Sequence, residues 1–509
     1  MTARTTLARQ VSLAVLTRGR SAIDHDQDLG CSILGPAARA IRRAHQPLQR
    51  AVRALGPVES ARQAHALVRW LESTPAYDAL CQGRRRRLGR RVLRAEVLYP
   101  DPADTPPRIL HLRRGTLGLD VPVRSAQWPA VNELFAALAR GATRSELATF
   151  RRVPFAAALL EALRSARWLE AWAAPDPAHA ATFVGHHTVA LRGHRATVLV
   201  DPYFRPAGAL DLPGYQPMQA RDVGPVDAVL ITHAHGDHFH LGSLLQLPPE
   251  TRLLVPAVER ESLFTTDFAT RLRQLGFRHV EPMPWGASRR VGDVEVEALP
   301  FYGEQPTDAR GVHGLENLGN CWKASSPRLT GLFLADSGHD IRGDMAQVCA
   351  THRGVDVVFS GVRGFSLRPI FLGFTTLTAF LVDVPRALLD VPQRLMADAE
   401  TALAWTRLAG ARALVPCADG GAPWYWREGM GPRYPGYAGV PVEGASGWDE
   451  NPDADPFPER VVQLGRALGQ TALLLRPGSH LDRVGARLVA TASPPFVWPY
   501  QPLELATSR

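Results

Sequence analysis

The sequence predicts a layered α/β protein, and three observations carry that expectation. Short apolar, β-branched runs each end in a ligand-type residue: 226–232 runs into His233, 196–200 into Asp201, and 331–335 into Asp336. These runs alternate with stretches such as 241–247 and 267–275, where apolar residues recur at three- and four-residue spacing. Alternating strand and helix signals of this kind stack as sheets covered by helices. The third observation is the loop after the run at 226–232, where His233, His235, Asp237 and His238 fall within six residues. A buried strand there delivers a metal-binding turn, broken by Gly236.

Length and composition bound the alternatives. With 509 residues and 45% hydrophobic content the chain holds one large domain and one or two smaller ones. Three segments are expected: a helical region over 1–100, a small winged-helix-like module over 101–178, and a catalytic domain over 181–509. No apolar run approaches the roughly 18 residues that span a bilayer, and the apolar start at 11–16 is too short for a secretory core, so a cytoplasmic location is expected. Five cysteines, an odd number without close pairs, argue against a disulfide framework and against a Cys-type zinc site. The net charge of +9 says little about partners, because Lys323 is the sole lysine and the arginine-rich, Ala/Pro/Gly-rich composition has the look of a GC-rich genome. The densest run, Arg84 to Arg87 with Arg90, Arg91 and Arg94, lacks interleaved aromatics; it reads as a solvated or dimer-facing helix and not as a nucleic-acid site.

In chain order, 37–55 and 60–71 carry helical periodicity, and the proline- and aspartate-rich segment 101–107 reads as a linker. Strands at 109–112 and 117–123 precede helices at 130–140, 145–150 and 154–165. This segment resembles the small winged-helix or peptide-docking modules found on biosynthetic enzymes. A second linker is expected at 173–180. The catalytic domain then opens with alternating strands at 183–191 and 196–204 joined by a tight turn at Gly193. Later come a strand at 251–255, a hairpin at 291–294, a strand at 294–300 running toward Glu304, and a strand at 413–416.

The His-x-His-x-Asp-His loop resembles the signature of the metallo-β-lactamase superfamily. That resemblance implies an αββα sandwich with two metals at one edge of its sheets, His233 and His235 facing one and Asp237 and His238 the other. The opening Gly185-His186-His187-Thr188 and the strand-terminal Asp201-Pro202 resemble the ascorbate-lactonase and N-acyl-phosphatidylethanolamine phospholipase branch. On that resemblance Asp201 lies behind the metal loop and accepts hydrogen bonds from it, with His186 beside it; a plain strand-end turn residue is the other reading of Asp201. Asp336 resembles the carboxylate that bridges both metals. Two positions depart from the superfamily hydrolases: Glu304, with His313 nine residues further on, stands where a histidine is usual. Ala418 stands where the last histidine is usual, leaving Asp419, His339 and His352 as alternatives for that ligand.

Those departures shift the ligand set toward carboxylate, which suits iron better than zinc. A glutamate at the third position resembles the diiron natural-product β-hydroxylases of this superfamily, as in chloramphenicol biosynthesis, which also carry an N-terminal region. The resemblance implies two iron ions, Asp237 and Glu304 at the reacting centre, an external electron donor, O2, and a small-molecule substrate, free or held on a carrier protein. A homodimer through the N-terminal region is a further expectation. The alternative is a dinuclear zinc or manganese hydrolase of a phosphodiester, lactone or amide, in which the same residues generate a metal-bound hydroxide.

Overall fold

The computed structural model describes residues 4–17, 108–114, 117–175, 178–204, 218–258, 266–303, 319–340, 343–362, 364, 366–367, 393–394, 396–418, 458–475 and 477–491, with isolated positions between 62 and 93. Among the described residues, two mixed sheets of eight and seven strands lie face to face. The first runs, in spatial order, Val280–Met283, Arg252–Pro256, Ala228–Leu230, Thr197–Val200, Thr188–Arg192, Ala181–Gly185, Ser479–Val484 and Arg487–Thr491. The second runs Ser288–Val291, Val294–Pro300, Asn320–Ser325, Thr330–Ala335, Val357–Ser360, Ala413–Pro416 and Thr471–Ala472. In each sheet, antiparallel strands joined by hairpins or short connections give way to parallel strands reached through helical crossovers.

Side chains alternate across the pleat, so each strand serves two cores. In Ala228–Leu230, Ala228 and Leu230 pack between the sheets with Phe183, Val198, Trp322, Phe333 and Phe359. Val229 and the following Ile231 face outward, against the helices Leu241–Leu244 and Phe268–Gln274. The outer face of the second sheet is covered by Met345–Thr351 and Ala399–Leu408, through Met345, Cys349, Leu403 and Trp405. The result is a helix–sheet–sheet–helix sandwich. Cys321, Cys349 and Cys417 are buried free thiols.

The N-terminal residues differ from the helical expectation for 1–100: Arg4–Leu7 and Ser12–Thr17 are strands. Arg4–Leu7 lies between Ala142–Thr143 and Leu169–Ala171, and Ser12–Thr17 pairs with Arg108–Arg114, which in turn pairs with Leu117–Val123. The partners of these two N-terminal strands are more than ninety residues away in sequence, so local pattern could not announce them. Positions Arg62, His65, Ala66, Arg69 and Trp70 are helical, while the helix expected at 37–55 and the arginine run lie outside the described residues. The helices expected within 130–165 form as Trp128–Ala139, Arg144–Thr149 and Pro154–Ser165, and a reciprocal Thr143–Glu146 capping box starts the second.

This N-terminal module is no tethered satellite. Leu13, Leu110 and Phe135 share one core with Val229, Ile231 and Leu253 of the first sheet. Buried Asn132 donates to the carbonyls of Leu245 (3.2 Å) and Leu247 (3.0 Å), and Arg9 grips Asp222 through two bonds of 2.7 and 2.8 Å. A Cβ on Gly242 would meet the Leu13 carbonyl oxygen at 2.0 Å, so only glycine permits this approach. Among the described residues, no helix is long and apolar enough to cross a membrane.

Candidate metal centre

Four strands end at one edge of the sandwich and carry the site: Thr197–Val200 delivers Asp201, Ala228–Leu230 the His233–His238 loop, Thr330–Ala335 Asp336, and Ala413–Pro416 Ala418. The carboxyl ends of parallel strands are where open α/β sheets place ligands, because the chain must there leave the ladder and expose side chains. The backbone is held in the left-handed region at Asp201 (φ 37°), Ala335 (φ 49°), His186 (φ 53°) and Ala418 (φ 68°). Such conformations cost non-glycine residues about 1 kcal/mol or more each and cluster at functional sites.

Asp201 is fully buried and ties the edge together. Its Oδ1 accepts from the Thr232 amide (2.7 Å); its Oδ2 accepts from the Thr232 hydroxyl (2.5 Å), His238 Nδ1 (2.7 Å) and His187 Nδ1 (2.8 Å). Its carbonyl accepts from Thr188 Oγ1 at 2.6 Å, which fixes the hairpin to the same point. Because Nδ1 of His238 is committed to Asp201, its Nε2 faces the cluster. A carboxylate behind a histidine is the usual device for fixing the tautomer and aim of a metal ligand. The loop is braced from the other sheet: Trp322 Nε1 donates to the Ile231 carbonyl (3.0 Å) and the Asn320 amide to the Thr232 carbonyl (2.7 Å).

In front of Asp201, donor atoms converge. His238 Nε2 lies 3.4 Å from Asp336 Oδ1, His233 Nε2 4.0 Å from Asp336 Oδ2, and His186 Nε2 3.3 Å from Asp237 Oδ2. His186 and His238 approach through their Nε2 atoms at 3.2 Å. The His235 ring meets that of His233 edge-on at 4.7 Å, and Phe301 stacks on His233 at 5.1 Å. His186–Asp237–His238 and His233–His238–Asp336 are each compact enough to share one ion.

The electrostatics of this cluster call for a cation. Burial pushes His233 well below the usual histidine range, and the charges of His238 and His235 add to it. Burial works in the same direction on His238, but Asp336, Asp237 and Asp201 outweigh it and hold that imidazole well above its ordinary value. Burial would raise Asp237 and Asp336; the imidazolium of His238 reverses this and holds both below the normal carboxylate range. His233 Nε2 is buried without a hydrogen-bond partner among the described residues, as an atom meant for a metal would be. The donor set fits metal ions.

Of the residues singled out from sequence, the structure brings together His186, Asp201, His233, His235, Asp237, His238 and Asp336. Glu304, Asp419 and His313 lie outside the described residues, although Gly303 and Ala418, their chain neighbours in the first two cases, are described. His352 pairs with Glu297 at 3.5 Å and does not join the cluster. His186 and His187 form the turn of a hairpin between Ala181–Gly185 and Thr188–Arg192, where sequence alone predicts one continuous strand over 183–191. His187, Thr232 and Trp322 carry no such prediction. The polar pair after Gly185, interrupting an apolar alternation, is the signal that marks the turn.

Comparison with known proteins agrees with this geometry. Residues 196–417 match the β-lactamase superfamily domain. Those residues have the metallo-β-lactamase fold. Over 202 residues the chain is 31% identical to the 4-amino-L-phenylalanyl-[CmlP-peptidyl-carrier-protein] 3-hydroxylase of Streptomyces venezuelae, an alignment covering 37% of this chain and 36% of that one. Over 76 residues it is 36% identical to a metal-dependent hydrolase of a Geobacillus species, covering 15% of this chain and 30% of that protein. The matched segments thus span about a third of these curated relatives. Among solved structures, CmlA, a diiron β-hydroxylase from Streptomyces venezuelae, superposes with a TM-score of 0.57 at 19% identity, covering 97% of this chain and 100% of that one. That likeness is one of fold and extends over nearly the whole chain.

Proposed function

We propose that the protein is a non-haem diiron monooxygenase that hydroxylates a small-molecule or natural-product intermediate, presented on a carrier protein. The observation that carries this reading is the donor set. Two carboxylates, Asp237 and Asp336, face the histidines, Asp201 backs His238, and the position where superfamily hydrolases place a last histidine is Ala418. Hard, anionic donors favour iron and stabilise its oxidised state. The 31% identical segment shared with a hydroxylase of a carrier-bound amino acid supports the substrate class. In this assignment His233, His235 and Glu304 hold one iron, Asp237 and His238 the other, with Asp336 between them and Asp419 beside the second. Bound irons supply the one-electron chemistry that activates O2. Overall, a substrate C–H bond, O2, two electrons from an external donor and two protons give the alcohol and water.

The chain's own residues do the positioning. Asp201 holds the tautomer of His238, and Trp322 and Asn320 fix the backbone from which His233 projects. Phe301 and the buried strand ends keep bulk water from the His233 side. The rival is hydrolysis by two zinc or manganese ions, which the short match to a metal-dependent hydrolase favours. Turnover on a panel of aminoacyl thioesters of carrier protein separates the two. Iron-loaded protein should produce a hydroxylated acyl group only with both reductant and O2, and zinc-loaded protein should be inert. Anaerobic, reductant-free turnover by zinc-loaded protein would overturn the oxygenase reading.

A further inference from the structure

The hairpin turn at His186 stands where the sandwich lacks its last ligand. The amide of Ala418, at the position where superfamily hydrolases place a histidine, donates to the carbonyl of His186 at 3.2 Å. The residue that replaces that histidine is therefore bonded to a residue that has one. His186 is fully buried, in a two-residue turn entered through Gly185 at φ 134°, and itself held at φ 53°. A turn of this kind needs no histidine; asparagine or glycine would adopt it at lower cost.

Resting on the dinuclear reading above, we infer that His186 is a ligand of the second metal, and that its imidazole takes the place vacated at Ala418. The distances carry the inference. Four donors with metal bonds of about 2.0–2.1 Å in tetrahedral array stand roughly 3.3 Å from one another. His186 Nε2 is 3.2 Å from His238 Nε2 and 3.3 Å from Asp237 Oδ2, and His238 Nε2 is 3.4 Å from Asp336 Oδ1. The first two contacts have the length of edges of one coordination polyhedron, and His186, Asp237 and His238 are compact enough to share one ion, while Asp336 lies on the far side of His238, in the group with His233. His238 is already fixed by Asp201 through its far nitrogen, so its Nε2 is committed to this space. The second metal would then draw two imidazoles and the Asp237 carboxylate from the described residues.

The alternative is that His186 only positions Asp237 by hydrogen bonding. Metal-free full-length protein titrated with Co(II), with bound metal counted by mass spectrometry and the visible d–d bands recorded, decides between them. Wild type should bind two ions per chain. His186→Ala should bind one, or hold its second at least 100-fold more weakly, with the bands of that ion lost and recovered on adding millimolar imidazole. His186→Asn keeps a side-chain donor for Asp237 but no imidazole, and should behave as the alanine variant does. If His186→Asn binds two ions with wild-type spectrum and affinity, His186 is not a ligand. If wild type itself binds fewer than two, the dinuclear reading fails and not this assignment alone. Should neither variant fold, the anomalous-scattering structure of zinc-loaded wild type gives the answer: Zn–Nε2 of His186 at about 2.0–2.1 Å is expected, and a separation beyond about 3 Å would overturn it.

Discussion

Replacing Asp201 by asparagine removes one charge and one acceptor from the point where hairpin, metal loop and first sheet meet. The carboxylate takes four hydrogen bonds, three of them on Oδ2. An asparagine oriented to keep those three turns its NH2 against the Thr232 amide; oriented the other way it opposes Thr232 Oγ1 and both histidines. The least damaging choice still loses a charge-assisted backbone bond, worth about 1.5–3 kcal/mol. It also removes the negative charge that helps hold His238 protonated in the metal-free protein. Breaking a buried ionic arrangement from one side costs about 3–5 kcal/mol, a fall in Tm of roughly 10 °C for a domain of this size. Metal affinity should drop 10- to 100-fold, because His238 loses the partner that aims it. Neighbouring imidazoles outweigh burial and hold the Asp201 carboxyl below its usual range. Its contribution is therefore present above the unfolded value near 4 and lost as pH falls through the folded one, so the deficit of the variant should be constant from about pH 5 to 8 and close on acidification. Circular-dichroism melts and zinc titrations of both proteins test this. A Tm within about 2 °C of wild type, with affinity within threefold, would refute the account of how the loop is held.

Two further outcomes follow from the same geometry. His240 caps the helix Leu241–Leu244, its Nδ1 accepting from the Ser243 amide, and burial pushes its pKa down to about 4. A histidine lowered in this way leaves stability full above about pH 6.5 and erodes it as pH falls toward 4, by up to about 3 kcal/mol at 1.36 kcal/mol per unit; in denaturant melts with chelator present, His240→Asn should remove this part of the slope, and an unchanged slope would disprove it. Trp322→Phe deletes the bond to the Ile231 carbonyl in a fully buried setting, so urea titration should register a loss of about 1–3 kcal/mol, and a loss below 0.5 kcal/mol would mean that the brace between the sheets is dispensable.

Much of this molecule is legible in sequence where burial acts locally. The runs at 228–231, 330–335 and 413–416 are apolar because both of their faces are covered, while 294–300 alternates with Glu295 exposed; both patterns read as strands. The ligand loop is legible because Gly236 and four donor residues interrupt such a run at one place. The N-terminal strands are not, since Arg4–Leu7 and Ser12–Thr17 gain their partners only across more than ninety residues. The turn at His186 and His187 has only the polar pair after Gly185 to mark it, between apolar stretches that together read as one strand. Asp201 is visible as a strand-end aspartate, but its four donors come from the His187 hairpin and the Thr232–His238 loop, which only the folded sheet brings together.

The central claim, that this cluster holds two irons that react with oxygen, is tested most directly without any substrate. Protein loaded with 57Fe, reduced under anaerobic conditions and then exposed to O2, should bind two irons per chain, and its Mössbauer spectrum should pass from a diferrous to a spin-coupled diferric pair. A single iron per chain, or a diferrous spectrum unchanged by oxygen, would contradict it.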